Sequence, residues 1–349
     1  GIGSGNEIAK ITLDGEDGVS LSGALKSVGT GSLVSITGPV TLAQNISIDT
    51  STNNGTVTFE TSGTTINGAK TLTISSGSGD VKFQGAIGTT GTGIGNLDVN
   101  KTSGTGDIEI FDIGDSTNVG VTGTVDIGHT GTTGIDLSGS VYNIDGVTTF
   151  TTASTANIID FESAITVKTA NDNINFVGGG IQAVTDGADI TINAGTAGVT
   201  LTDITVHSAE DIDIDGGTIS VQDITLANVI TLNGTTTFTD DALDTTTTIT
   251  TTADASSNVG SVTITGAAVL DVNTTIDTSA GNGAVKFTST INTSTDNTPI
   301  NLDIESGTGK ATVDGVIGGT ANRTLGTIAI NDATADGTGE IELNSIGAG

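Results

Sequence analysis

Apolar residues recur at every second position along most of the chain, in runs of three to five residues. Ile190-Thr191-Ile192, Ile204-Thr205-Val206, Ile212-Asp213-Ile214, Ile219-Ser220-Val221, Ile224-Thr225-Leu226 and Ile230-Thr231-Leu232 are examples. A period of two puts one set of side chains on the buried side of a β-strand and the other in solvent. Between the runs lie Gly, Asn, Asp, Ser and Thr, which supply positive φ or side-chain-to-backbone hydrogen bonds for turning. No window of about a dozen residues carries the i, i+3, i+4, i+7 spacing of an amphipathic helix. The pattern predicts an all-β chain of many short strands.

The runs also repeat. Gly85, Ile87 and Gly88 match Gly315, Ile317 and Gly318; Leu97, Val99 and Asn100 match Ile328, Ile330 and Asn331. GTGDIEI (Gly104–Ile110) returns as GTGEIEL (Gly337–Leu343), and a turn-then-strand unit appears as SGSGDVKF at 76–83, GNGAVKF at 281–287 and GTGKATV at 307–313. Steps of 27 residues from Val81 to Ile108, 26 from Val285 to Ala311 and 30 from Ala311 to Ile341 fall in the range of solenoid repeats. Four short runs between Ile204 and Ile230 fit one coil of about 26 residues. The expected fold is therefore a right-handed parallel β-helix, a β-solenoid, running as one continuous body over 1–349 without dedicated end caps. Tandem β-sandwich modules are the alternative; they call for longer strands and repeats of about 90 to 100 residues.

The Gly-rich turn before a short aliphatic strand (GSGDVKF, GNGAVKF) and the phrases NLDVN, GAIG and GVIGG resemble the degenerate repeats of very large bacterial surface proteins. Filamentous-haemagglutinin-like and autotransporter adhesins, other β-strand-repeat proteins and some surface-layer proteins are of this kind. The resemblance implies a right-handed parallel β-helix, export, and adhesion or surface assembly. It carries over no catalytic residue.

Composition agrees with a thin, repetitive core. The 349 residues include 52 Gly, one Tyr, eight Phe, two Pro and no Trp, Met or Cys, yet 34% are hydrophobic, enough for burial. Nine basic against 40 acidic residues give a formal net charge of −31, spread along the chain. That field repels nucleic acid, and the scattered lysines and single Arg323 form no basic cluster for phosphates or anionic lipid. No stretch approaches the roughly 20 apolar residues of a spanning helix, so no membrane insertion is expected. The lack of Cys and Met together with the acidity fits a secreted, extracellular cell-surface protein.

The densest chemical constellation is Glu210-Asp211-Ile212-Asp213-Ile214-Asp215-Gly216. Its D-x-D-x-D-G spacing imitates the opening of a calcium loop, making Asp211, Asp213 and Asp215 the candidate metal ligands and Ca2+ the one cofactor suggested. Gln222 stands where such a loop needs a bidentate Glu, so an outward carboxylate ladder is the competing reading. Asp14-Gly15-Glu16-Asp17-Gly18 and Asp240-Asp241 read as turns. Gly178–Gly180 lacks the nonapeptide calcium pattern, and His129 and His207 come with no nucleophile motif. N-x-S/T sequons at Asn45, Asn54, Asn100, Asn233, Asn273, Asn292 and Asn322 would accept glycans in a glycosylating host.

No catalytic residue is assigned and the chain is not expected to be an enzyme. The first expectation is a structural extracellular subunit that assembles with copies of itself into a filament, sheath or surface layer. A stalk of a giant adhesin contacting host or matrix glycans is the alternative, and a glycan-active β-helix enzyme comes last.

Overall fold

The computed structural model describes residues 2, 8–60, 65–89, 92–154, 158–206, 210–240, 245–252, 260–295, 298–320, 323, 325–332 and 338–347. The chain is a β-solenoid of about twelve parallel coils, each about 25 residues long. Among the described residues the one helical element is a short 3-10 turn, Ser51–Asn53. The coils fall into two compact units, Gly1–Ile181 and Gln182–Gly349.

In the first unit each coil contributes strands to three faces. One face stacks Lys10–Asp14, Leu33–Thr37, Thr56–Phe59, Val81–Phe83, Ile108–Ile110, Ile135–Leu137 and Ile159–Phe161, each parallel to the next. A second stacks Leu25–Lys26, Ile46–Asp49, Leu72–Ser75, Leu97–Val99, Val125–Gly128, Thr148–Thr151 and Ile174–Val177. The third runs from Val19–Leu21 through Val40–Leu42 and Ile66–Asn67, narrows to single bridges at Ile87 and Ile113, and continues in Val141–Asn143 and Ile165–Lys168.

Parallel pairing in register explains why the alternation is so regular. Val34, Val57, Val81, Ile108, Ile135 and Ile159 occupy the same inward position in successive coils, and all are fully buried. Each such side chain contributes roughly 1.5–3 kcal/mol of hydrophobic stabilisation. A slip of one residue would turn that column to solvent, so the core fixes the register. The aromatics join it: Phe59 and Phe83 stack with centroids 4.9 Å apart, as do Phe150 and Phe176 at 5.2 Å.

The second unit repeats the scheme. Ile204, Ile224, Ile249, Ile276, Ile304 and Ile330 form one inward column. A second follows Ile190, Ile212, Ile230, Val262, Val285, Ala311 and Ile341. The third follows Val199, Ile219, Thr236, Ala268, Ile291, Ile317 and Ile346. The repeat steps read from Val81, Val285 and Ala311 are therefore coil steps. The stretch from Ile204 to Ile230 is more than one coil, because Ile204 already pairs with Ile224 and Ile212 with Ile230. Ile212-Asp213-Ile214 and Ile219-Ser220-Val221 are two arms of a single strand, Ile212–Val221, bent between Asp215 and Thr218.

The sandwich alternative is ruled out by topology. Antiparallel hairpins build sandwiches, whereas the strand pairings within each unit are parallel and join neighbouring coils.

One corner occurs in both units with the same bonds. Asp49 Oδ1 accepts from the Ser51 N–H and hydroxyl, and Asp277 Oδ1 accepts from those of Ser279. Thr50 donates to the Gly55 carbonyl and Thr278 to that of Gly283. Asn54 and Asn282, both left-handed (φ 54° and 57°), accept from the Ser78 and Thr308 N–H of the following coil. One coil further on, Ser76 and Ser306 repeat the hydroxyl-to-glycine bond, to Gly79 and Gly309. The sequence match at Gly85–Ile110 and Gly315–Leu343 thus belongs to a longer duplicated block, 46–110 and 274–343.

Candidate functional site

The sequence-predicted calcium ligands sit on the outer side of the bent strand. Asp213 and Asp215 alternate with buried Ile212 and Ile214, so they project from one face about 7 Å apart along the backbone. Asp215 is held between amides of adjacent coils, accepting from Asn193 Nδ2 at 3.2 Å and Asn233 Nδ2 at 2.8 Å. Asp211 accepts from Asn228 Nδ2 at 2.9 Å and the Val229 N–H at 3.1 Å. Glu210 is fully buried and accepts from the Gly187 N–H at 3.0 Å. The D-x-D-x-D-G spacing therefore forms no calcium loop: an extended strand separates the carboxylates, and asparagine amides hold Asp211 and Asp215. Partial burial, with the charge of Asp215, raises the Asp213 carboxyl above its ordinary pKa.

Among the described residues, one group brings three carboxylates together, with ligand atoms within 4.8 Å of one another: Asp303, Glu305 and Asp332. Asp303 and Glu305 lie two apart on Ile300–Glu305, and Asp332 follows the strand paired above it, Leu325–Ile330. Glu305 accepts from the Asp332 N–H at 3.2 Å. Burial first, then the charges of Asp332 and Asp277, raise the Asp303 carboxyl. Asp332 lies a full coil from its partners in sequence, and only the register joins them.

A second acidic array lies on the first unit's outer face. In-register pairing stacks Lys82, Glu109, Asp136 and Asp160 in one outward column. Lys82 Nζ meets Glu109 at 3.4 Å. Asp136 has carboxylates on both sides, and burial followed by the charges of Asp160, Glu162, Asp107 and Glu109 pushes it up to about 6. Asp160 is raised by burial and by Glu162. On the neighbouring face Asp98 and Asp126 also stack directly, but Lys101 bridges them at 3.6 and 2.5 Å.

Lys101, Asp126, His129, Thr149 and Thr151 line an open recess of about 380 Å³. His129 closes its own turn, accepting from the Gly131 N–H at Nδ1 while its backbone N–H donates to Thr132 Oγ1. His207 and Asp241 lie outside the described residues. Glu16 and Asp17 form the turn that Gly18 closes by donating to the Gly15 carbonyl at 2.9 Å. Asp240 follows the Val229–Phe238 strand, and Gly178 and Gly179 form a bend.

Tyr142 is fully buried in the third face, with Oη 2.7 Å from the Ile110 and Phe111 carbonyls. Its role is packing. Several sequon asparagines are likewise structural: Asn45, Asn273 and Asn292 accept from the Thr71, Asn301 and Thr320 N–H groups one coil on. Asn322 lies outside the described residues.

Among the described residues no helix is long and apolar enough to cross a membrane. No family model, curated protein or solved structure matches the chain.

Proposed function

We propose that this protein is a structural, non-enzymatic component of an extracellular surface assembly (a filament, sheath or surface layer) and that it associates with copies of itself. The observation that carries this reading is how the outer surface is used. Its polar side chains are engaged mainly with the coils above and below: Asn193 and Asn233 on Asp215, Lys101 between Asp98 and Asp126, Asn96 on the Thr124 N–H. Such a surface stiffens a coil stack. The absence of cysteine, the acidity and the likeness of the GSGDVKF and GNGAVKF units to large surface proteins support an extracellular setting.

Calcium, if used, would act between carboxylates of adjacent coils, as a bridge and not a cofactor. Electron microscopy of the purified chain, with and without calcium, tests the assembly: filaments or sheets are expected, and monodisperse particles under every condition overturn it. Protease shaving of intact source cells tests location, since an extracellular chain is degraded while cytoplasmic markers survive.

A further inference from the structure

Two of the N-x-S/T sequons occupy the same place in the duplicated architecture. Asn45-Ile46-Ser47 enters the strand that ends at Asp49, and Asn273-Thr274-Thr275 the strand that ends at Asp277, the two residues that open the shared corner. The fold uses both asparagines. Asn45 Oδ1 accepts the Thr71 N–H at 3.1 Å and Asn273 Oδ1 the Asn301 N–H at 3.0 Å, each from the following coil.

That bond does not call for a hydroxyl two residues on. Asn96 and Asn301 make it as well, to the Thr124 N–H at 3.0 Å and the Thr327 N–H at 2.9 Å, and the residues two positions after them are Asp98 and Asp303. Among the described residues the Ser47 and Thr275 hydroxyls have no hydrogen-bond partner. Packing therefore accounts for the asparagines and leaves the hydroxyls unused, whereas a glycan acceptor requires the pair.

Alternation makes both pairs accessible. Ile46 and Thr274 are buried, so the amide and hydroxyl of each sequon project together from the outer side, about 7 Å apart along the backbone. Asn292-Thr293-Ser294 has the same arrangement, with Thr293 buried and Asn292 Oδ1 accepting the Thr320 N–H at 3.1 Å. Two other sequons are closed. Asn100 is fully buried with Nδ2 2.8 Å from the Ser76 hydroxyl, and Asn233 engages Nδ2 with Asp213 and Asp215 and Oδ1 with Thr265. Asn54 lies in the left-handed corner turn, where alternation does not pair it with Thr56.

We infer that Asn45, Asn273 and Asn292 are N-glycosylation acceptors and that Asn100 and Asn233 are not. The donor is a sugar carried on a diphosphate, lipid-linked or nucleotide-linked. Nδ2 bonds to the sugar C1 as the C1–O bond to the diphosphate breaks; Nδ2 releases one proton and the diphosphate departs. The amide carbonyl survives, so Oδ1 keeps its bond to the next coil and the glycan stands outside the stack. This inference stands apart from the self-assembly proposed above.

Peptide mapping by mass spectrometry of the full chain purified from its source should find sugar on Asn45, Asn273 and Asn292 and none on Asn100 or Asn233. An oligosaccharide indicates the lipid-linked donor and a single hexose the nucleotide-linked one; both support the assignment. Ser47→Ala and Thr275→Ala, expressed in the same source, should each strip the sugar from one asparagine. Made in a host without N-glycosylation, the two variants should melt with the parent chain, because neither hydroxyl has a partner. A bare asparagine at any of the three positions, sugar on Asn100 or Asn233, or sugar retained in the alanine variants overturns the inference. So does a lowered melting temperature in the unmodified variants, since the hydroxyls would then have a structural role.

Discussion

Asn100 reaches back one coil to Ser76: its Oδ1 accepts the Ser76 N–H at 2.9 Å while its Nδ2 lies 2.8 Å from the Ser76 hydroxyl, and Asn331 accepts from Ser306 at 2.7 Å in the second unit. Both Asn100 and Asn331 are left-handed, with φ of 49° and 54°. The position thus needs a residue that tolerates positive φ and caps a neighbour. Asn100→Ala loses both, leaving the buried Ser76 N–H without its partner, and should cost about 2–4 kcal/mol. Asn100→Gly keeps the backbone and loses only the cap, so it should cost about 1–3 kcal/mol. Urea denaturation of the two variants checks the order. Equal losses would show that the backbone conformation contributes nothing.

Asp136 predicts a pH dependence. Its folded-state pKa of about 6 lies above the ordinary 3.8, so the folded protein holds this proton more tightly than the unfolded chain. The resulting stabilisation is complete below about pH 4 and is lost as the pH rises through 6. A shift of two units corresponds to at most about 2.7 kcal/mol, and solvent screening of a half-exposed group reduces that to about 1 kcal/mol. Asp136→Asn should therefore raise stability by about 1 kcal/mol at pH 7–8 and leave it unchanged at pH 4. Thermal melts across pH 3.5–8 test this; a variant that gains equally at both ends would rule out titration as the cause.

What was legible in the sequence follows from this contrast. Alternation such as Ile212-Asp213-Ile214 reads directly as strand because its cause, one buried side, is local. The turn-strand units at Val81, Val285 and Ala311 yielded the coil step because parallel in-register stacking places like residues over like. Partners across coils were not legible. Coil length varies, with Ile204 over Ile224 but Val81 over Ile108, so a residue's neighbour cannot be counted off from a fixed period. The Asp136 column, the Asp303–Asp332 approach and the Asn100 cap all depend on that register. The third face was also hidden where it narrows to single bridges at Ile87 and Ile113, since one residue carries no alternation.

Lys101 offers a test of charge stacking. It links Asp98 and Asp126, which face each other directly on adjacent strands. The pair is half-exposed, so Lys101→Met should cost about 0.5–1 kcal/mol, more at 10 mM than at 500 mM salt. Adding Asp126→Asn should recover most of the loss by removing the like-charge contact. A double-mutant cycle at both salt concentrations measures the coupling, and independence from salt would show that Lys101 acts through its aliphatic stem.

The Phe59–Phe83 stack tests how far stability is shared between coils. The two rings lie nearly parallel, 5° apart, with Phe83 in register between Phe59 and Ile110. Phe83→Ala opens a cavity in a core only a few side chains wide and should cost about 3–5 kcal/mol; Phe83→Leu, which refills most of it, should cost less than half as much. In a solenoid each coil contacts only its neighbours, so the damage should spread by nearest-neighbour coupling. Hydrogen exchange in Phe83→Ala should speed up most in Thr56–Phe59, Val81–Phe83 and Ile108–Ile110, while Val285–Phe287 and Ala311–Ile317, the second unit's copy of the same block, keep their protection. Equal acceleration in both blocks would mean that the chain unfolds as one cooperative body and that protection reports global opening.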